Sequence, residues 1–241
     1  MLSQTRRILD FIYPAHCQLC EHSLTHGQHL CQSCSDSLNY TAAPFCQLCG
    51  ECYDGEITTD FVCPNCNNLN LDFEFARAPL HADGLGISLL HDFKYSRQIH
   101  LSHELAKLLE TGLGDDPRFR PYLDGGILVP VPLHWSRLRK RKFNQAEEMA
   151  RCLGKRTGLR CMNVLKRRRN TASQTRFSRS MRLKNLHEAF EIRPRHRERI
   201  KGKRVILIDD IFTTGSTANE CTKVMLKHGA HSVAVLTLLR G

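Results

Sequence analysis

The sequence predicts an α/β fold: a mainly parallel sheet flanked by helices, preceded by a small cysteine-rich module. Three observations carry this. Eight of the 12 cysteines form four Cys-x-x-Cys pairs before residue 70. Beyond residue 72, short continuous apolar runs alternate with amphipathic helical patterns, as in crossover-connected parallel strands. The 241 residues suffice for two units, 1–70 and 72–241.

In the first unit, turn formers abound and long apolar runs are missing. A unit that cannot bury enough core needs a metal or disulfides. The pairs are Cys17/Cys20, Cys31/Cys34, Cys46/Cys49 and Cys63/Cys66. Each Cys-x-x-Cys turn sets two sulfurs on one side of a knuckle, and two turns complete a tetrahedral zinc site. Taken in order, the first four and the last four predict two structural Zn²⁺ ions. Other pairings stay open: Cys52 can replace Cys46 as the partner of Cys49, and the two halves can interleave. His16, His22, His26 and His29 are further candidate ligands, although the cysteines satisfy the count without them. Disulfides require an oxidising compartment, and Met1 to Tyr13 lacks the pattern of a signal peptide. A thioredoxin-type redox pair needs one Cys-x-x-Cys, not four. A cytoplasmic chain without membrane insertion is expected, because no window offers the apolar length of a spanning helix.

In the second unit, Phe73–Leu80 alternates in its first half and predicts a strand. Leu101–Leu113 places Leu101, Leu105, Leu108 and Leu109 at helical spacing. Ile127–Val131 predicts a buried strand entering a tight loop. Phe143–Thr157 predicts an amphipathic helix capped by Asn144. Residues 163–185 are polar and aperiodic and predict a long loop. Arg204–Ile208 and Val233–Leu239 predict strands buried on both faces. Between them lies a helix over about Thr217–His228, closed by Gly229. Cys152, Cys161 and Cys221 look like small buried residues.

The most informative segment is VILIDDIFTTGST, Val205–Thr217. An apolar strand delivers Asp209 and Asp210 to the carboxyl edge of the sheet, where open α/β sheets bind ligands. Thr213, Thr214, Gly215, Ser216 and Thr217 then run into a helix N-terminus. Backbone amides, hydroxyls and the helix dipole suit a phosphate monoester there, and Gly215 permits close backbone approach. The carboxylates repel a phosphate in contact but accept hydrogen bonds from sugar hydroxyls one ribose-length away. The pattern describes a ribose 5-phosphate. It is neither a Walker loop nor a dinucleotide fingerprint.

This segment resembles the phosphoribosyl pyrophosphate (PRPP) signature of type I phosphoribosyltransferases. Nearly the whole chain resembles the ComF family, which joins an N-terminal zinc module to such a domain. Further marks are Phe93-Lys94-Tyr95, the VPVPLH run Val129–His134, Phe143–Glu147 (FNQAE), and Gln174, Arg182, Asn185 and Phe190. Arg141-Lys142 stands where the family commonly has Arg-Gly, which exchanges a turn-forming glycine for a cation. The resemblance implies that Asp209 and Asp210 hold the ribose hydroxyls and that Thr213–Thr217 hold the 5-phosphate. It places the turn at Leu133 and His134 against the pyrophosphate, and implies Mg²⁺ arriving with PRPP on phosphate oxygens. Lys94 and Arg182 are candidates for the pyrophosphate. In a transfer reaction the C1–O bond to pyrophosphate loosens and a nucleophile adds. Asp209 and Asp210 then favour the positive charge that develops on the sugar. The resemblance also implies a part in natural transformation and use of external DNA, with a competence helicase as candidate partner and an unspecified acceptor. A rival reading keeps the fold as a non-catalytic PRPP or nucleotide sensor that handles single-stranded DNA.

Charge is segregated. The chain carries 35 Lys or Arg, 24 Asp or Glu and a formal net charge of +11. Between Arg137 and Arg204 there are 24 Lys or Arg against 5 Asp or Glu; elsewhere there are 11 against 19. The basic clusters are Arg137–Lys142, with Arg139, Lys140, Arg141 and Lys142, then Lys166, Arg167, Arg168 and Arg169, and the run Arg193–Arg204. Trp135, Phe143 and Phe177 lie near them in sequence. Phosphate neutralisation with aromatic stacking predicts contact with single-stranded DNA.

Overall fold

The computed structural model describes residues 15–25, 27–55, 60–67, 69–96, 98–169 and 188–241. In chain order the strands are β1 (Ala15–His16), β2 (Ser23–Leu24), β3 (Ala76–Arg77), β4 (Leu80–His81), β5 (Ile127–Pro130), β6 (Arg160–Cys161), β7 (Leu165–Arg167), β8 (Phe190–Ile192), β9 (Arg204–Phe212) and β10 (Ser232–Arg240). The helices are α1 (Gln32–Asp36), α2 (Pro64–Asn67), α3 (Gly84–Tyr95), α4 (Ser102–Gly114), α5 (Arg120–Leu123), α6 (Trp135–Arg141), α7 (Gln145–Thr157), α8 (Arg197–Ile200) and α9 (Ser216–Lys227). No described helix is long and apolar enough to cross a membrane.

A six-stranded sheet in the order β3-β10-β9-β5-β6, with β4 also on β10, organises the molecule. Every pairing in it is parallel. Strand β9 sits between β10 and β5 because its apolar run has no face to give to water; Val205 to Ile208 are fully buried. The two-residue period of the strands divides the core in two. Leu128, Ile206, Ile208, Ala234 and Leu236 pack with Phe93 of α3, Leu105 and Leu109 of α4, and Met149 and Leu153 of α7. Ile127, Val129, Val205, Leu207 and Val235 pack with Cys221 and Met225 of α9, with Leu165 and Phe190, and with Cys46, Cys49, Cys63 and Cys66. The second group of cysteines is thus part of the core on one face of the sheet.

Several expectations need correction. The strand expected over Phe73–Leu80 is two two-residue pieces, β3 and β4. Pro79 lies between them, and proline cannot continue a ladder. Their outer side is met by the cysteine-rich segment: the N–H of Thr41 donates to the carbonyl of Pro79 and that of Ala76 to Leu48. Asn144 occupies the cap position of α7, but its side chain makes no cap bond. It donates instead to the carbonyl of Val131 at 3.0 Å, tying the start of α7 to the end of β5. The loop expected over 163–185 begins with β7, which pairs antiparallel with β8; residues 170–187 lie outside the described residues. Cys161 is half-buried, unlike Cys152 and Cys221. Helix α3 was not anticipated at all.

Candidate phosphate site and metal centres

The sulfurs of Cys17, Cys20, Cys31 and Cys34 lie within 4.8 Å of one another, and so do those of Cys46, Cys49, Cys63 and Cys66. The separations Cys20–Cys31, 3.6 Å, and Cys49–Cys63, 3.7 Å, decide what they fit. A disulfide needs about 2.05 Å. A tetrahedron with metal–sulfur bonds of about 2.3 Å has edges of about 3.8 Å. Both groups therefore fit structural Zn²⁺, in the sequential pairing. Backbone amides face the sulfurs, as a thiolate requires: Cys31 N–H donates to Cys17 Sγ at 3.4 Å and Cys63 N–H to Cys46 Sγ at 3.3 Å. The Cys49 thiol and the amides of Cys63, Cys49 and Leu48 hold Cys46 down to about 4, against its burial. Cys52 is outside both groups, its segment bridged antiparallel to Phe45. His16, His22 and His29 are also outside them; His29 packs on the His100 ring. His26 lies outside the described residues.

The second group is gripped by arginines of the sheet unit. Arg77 donates to the carbonyl of Cys46 at 3.2 Å, and Arg118 to that of Gln47 at 3.0 Å. Arg240 reaches Cys49 Sγ at 3.6 Å.

At the carboxyl end of β9 the chain brings Asp209, Asp210 and Thr213–Thr217 together. Asp209 Oδ1 accepts from the Asp210 N–H at 2.9 Å. Burial and then the Asp210 charge push Asp209 up to about 7, against the lowering influence of that N–H, Lys94 and Arg167. Lys94, at the end of α3, meets Asp210 Oδ2 at 2.5 Å. Phe93 beside it is fully buried and faces Phe143 at 5.4 Å, which fixes where the lysine emerges.

The loop turns at Gly215, whose φ of +73° is left-handed. A Cβ there would stand 2.8 Å from Cζ of Phe212, so glycine is required by space as well. Thr214 Oγ1 lies 2.9 Å from Ser216 Oγ. Asp209, Thr213 to Ala218 and Thr237 line a recess of about 40 Å³, the scale of a single small group. The first-turn amides of α9 have no acceptors within their own helix and open on this side.

Leu133 and His134 leave the neighbouring strand β5, joined to β9 where Val131 N–H donates to Ile208 O. The buried His134 ring is occupied with its own chain: its Nδ1 lies 2.8 Å from Ser136 Oγ and caps α6. Arg182 lies outside the described residues.

The basic residues divide. Lys166 and Arg168 pair with Glu191, and Arg169 with Glu188. Arg167 differs from its neighbours: it is half-buried, its guanidinium lies over the Phe190 ring, and burial and then the Arg137 charge hold it below the usual arginine value, against the opposing charge of Asp209. Period-two alternation from Leu165 was the signal for its inward direction. Arg141 donates to Tyr95 Oη and Gln145. Arg139, Lys140 and Lys142 are exposed, and among the described residues no carboxylate pairs with them. Helix α6 buries no residue, and Trp135 and Leu138 are exposed on it.

Fold and sites together define a phosphoribosyltransferase domain joined to a double zinc ribbon. Family models agree: a double zinc ribbon domain matches residues 8–67 and a phosphoribosyl transferase domain matches 143–241. The two domains stand in the order that the ComF family joins them, and the chain resembles that family. It is 29% identical to Competence protein F of Haemophilus influenzae over 230 residues, 93% of this chain and 95% of that one. It is 27% identical to the DNA utilization protein YhgH of Escherichia coli K12 over 227 residues, 93% and 89% of the two chains. It is 35% identical to Competence protein ComFC of Bacillus subtilis over 116 residues, 47% and 44%.

Proposed function

We propose that this protein binds PRPP at the carboxyl end of β9 and acts in the uptake and use of external DNA. One observation carries the reading. Strand β9 delivers two adjacent carboxylates into a left-handed glycine turn at a helix N-terminus, the order of groups that a ribose 5-phosphate presents in reverse. The recess at Thr213–Thr217 takes the 5-phosphate, and Asp209 and Asp210 accept from the ribose hydroxyls. Lys94 neutralises Asp210 until the hydroxyls arrive, and Leu133 and His134 face the pyrophosphate through backbone groups. Mg²⁺ bound together with PRPP would supply charge neutralisation at the pyrophosphate that Leu133 and His134 face. If transfer occurs, the C1–O bond breaks with its electron pair leaving on pyrophosphate, and the acceptor's lone pair forms the new bond to C1. The role in DNA use rests on the names of the relatives, Competence protein F and DNA utilization protein YhgH. We place the protein in the cytoplasm on the same reading.

Calorimetric titration with PRPP and Mg²⁺ tests the site. Saturable binding lost in Asp209→Ala plus Asp210→Ala supports it, and unchanged binding in that variant defeats it. Pyrophosphate release with a panel of bases separates transfer from sensing.

A second reading, contact with single-stranded DNA, has its own observation. Helix α6 presents Trp135, Arg139 and Lys140 outward, with the Arg139 guanidinium 5.9 Å from the Trp135 ring centroid, and Lys142 follows it. A stacking ring among exposed cations is how single strands are held without sequence preference. A competence helicase remains the proposed partner for that strand.

A further inference from the structure

We infer that Arg240 is a positioning residue that joins the second zinc ribbon to the phosphate loop, so that metal binding at one and phosphate binding at the other are energetically coupled. The inference rests on the reading of Thr213–Thr217 as a phosphate site.

Arg240 ends β10 and is 7% exposed. A buried guanidinium requires compensating charge and acceptors. It obtains them from two parts of the molecule. On the ribbon side, one terminal nitrogen lies 3.6 Å from Cys49 Sγ and pairs with Glu51. On the sheet side, the other donates to the carbonyl of Phe212 at 3.3 Å, and the guanidinium carbon stands 5.4 Å from the Phe212 ring centroid. Phe212 is the last residue of β9, and Arg240 is its partner in register on β10.

The Phe212 ring then meets the loop. It lies so close to Gly215 that a Cβ there would be 2.8 Å from Cζ and 3.4 Å from Cε2. Phe73 closes the other side edge-on at 5.9 Å. The ring therefore has little room to shift unless Gly215 shifts with it. Three contacts in sequence, Cys49 to Arg240 to Phe212 to Gly215, connect a zinc ligand to the turn that shapes the phosphate recess.

Metal occupancy changes the first of these. Bound Zn²⁺ would fix Cys49 Sγ at one corner of a tetrahedron facing Arg240, whereas unligated sulfurs share no common anchor. Without metal, the ribbon-side contact of Arg240 loses its fixed position, and so does its hold on Phe212. Coupling of this kind is reciprocal: if zinc favours phosphate binding, phosphate binding must favour zinc retention.

The test measures both directions on the full chain. Zinc transfer to a colorimetric chelator is followed with Mg²⁺ alone and with PRPP plus Mg²⁺, and PRPP affinity is measured by calorimetry. In the wild type, saturating PRPP is expected to slow release of one of the two zinc ions by about fivefold or more, leaving the other unchanged. Arg240→Met is expected to abolish that protection and to weaken PRPP binding about tenfold. Arg240→Lys, which keeps the charge but not the fork, is expected to fall between. A wild type that binds PRPP yet releases both zinc ions at unaltered rates overturns the inference. So does Arg240→Met that binds PRPP as tightly as the wild type. If Arg240→Met does not fold, the wild-type release rates alone decide. A wild type that shows no PRPP binding brings down the phosphate reading itself, and the inference with it.

Discussion

Lys94 Nζ stands 2.5 Å from Asp210 Oδ2, so one carboxylate of the acidic pair on β9 is already neutralised by a lysine from helix α3. Two adjacent carboxylates at one strand end repel each other, and the protein answers in two ways. It pairs Asp210, and it raises Asp209 to about 7 through burial and the Asp210 charge. That division gives the site a pH dependence.

Asp209 rises from 3.8 to about 7 on folding. Between those values the folded state holds a proton that the unfolded state has lost, so stability falls as pH rises through that window and levels off above it. Asp209→Asn removes the cost of ionisation. Its gain is expected to be largest at pH 8, about 2–3 kcal/mol allowing for the water that reaches the site, smaller at pH 5, and absent near pH 4. Thermal melts across that range check it. The same variant is expected to lose the PRPP-induced shift, since its amide no longer carries the acceptor charge. Wild-type affinity for PRPP is expected to rise between pH 6 and 8.

The two metal centres differ in what they support. Cys20 of the first is exposed, whereas all four ligands of the second are buried in the core beside β9 and β10. Elemental analysis is expected to find two zinc ions per chain. Cys17→Ser should lose one of them and keep a cooperative melt near the wild-type temperature. Cys63→Ser should lose the other and melt about 10 °C lower, the shift expected for several kcal/mol in a chain of this size.

This difference was not legible in the sequence, where the four Cys-x-x-Cys pairs look alike. Spacing shows that sulfurs can converge; it does not show that one knuckle will lie on the edge of a sheet far along the chain. β9 and β10 were legible because a strand buried on both faces must be apolar throughout, and the Asp pair stood out as the place where that run ends. β3 and β4 were legible only as one strand over Phe73–Leu80; their division into two-residue pieces interrupted by Pro79, each a strand through its partner β10, was not. The exclusion of Cys52 depends likewise on its bridge to Phe45. As part of an aperiodic loop, Arg167 groups with its basic neighbours. Once Leu165–Arg167 is a strand, Arg167 must point with Leu165, inward. Helix α3 was obscured by Gly84 and Gly86 at its start, which dilute its propensity, although Leu89, Leu90 and Phe93 keep helical spacing.

Lys142 caps α6 in a left-handed conformation, φ +70°, at the position where the family commonly has glycine. A side chain at that conformation costs roughly 1 kcal/mol that glycine avoids. Lys142→Gly is therefore expected to raise the melting temperature by about 2–4 °C, measured at moderate salt to limit the effect of the lost charge. A fall in melting temperature would show that the ammonium contributes more than the turn costs.

The last expectation separates the two exposed basic clusters. Lys166, Arg168 and Arg169 already face Glu191 and Glu188, so an incoming phosphate must displace a carboxylate to reach them. Arg139, Lys140 and Lys142 have no such partner among the described residues, and Trp135 projects beside them. If about five phosphates of a single strand are neutralised, log K falls with log salt at a slope near −3.5. Replacing Arg139, Lys140 and Lys142 by alanine is expected to reduce that slope by about 2, one increment of about 0.7 for each lost contact. Replacing Lys166, Arg168 and Arg169 is expected to change it less. Trp135→Ala is expected to weaken binding by about 1–3 kcal/mol at every salt concentration while leaving the slope intact, because stacking releases no counterion. Fluorescence anisotropy with a labelled oligonucleotide at several salt concentrations reads all three. Equal effects of the two triple variants would mean that the carboxylates of β8 give way to phosphate. No wild-type binding at low salt would remove DNA as the partner of this face and leave a protein partner for the exposed Trp135.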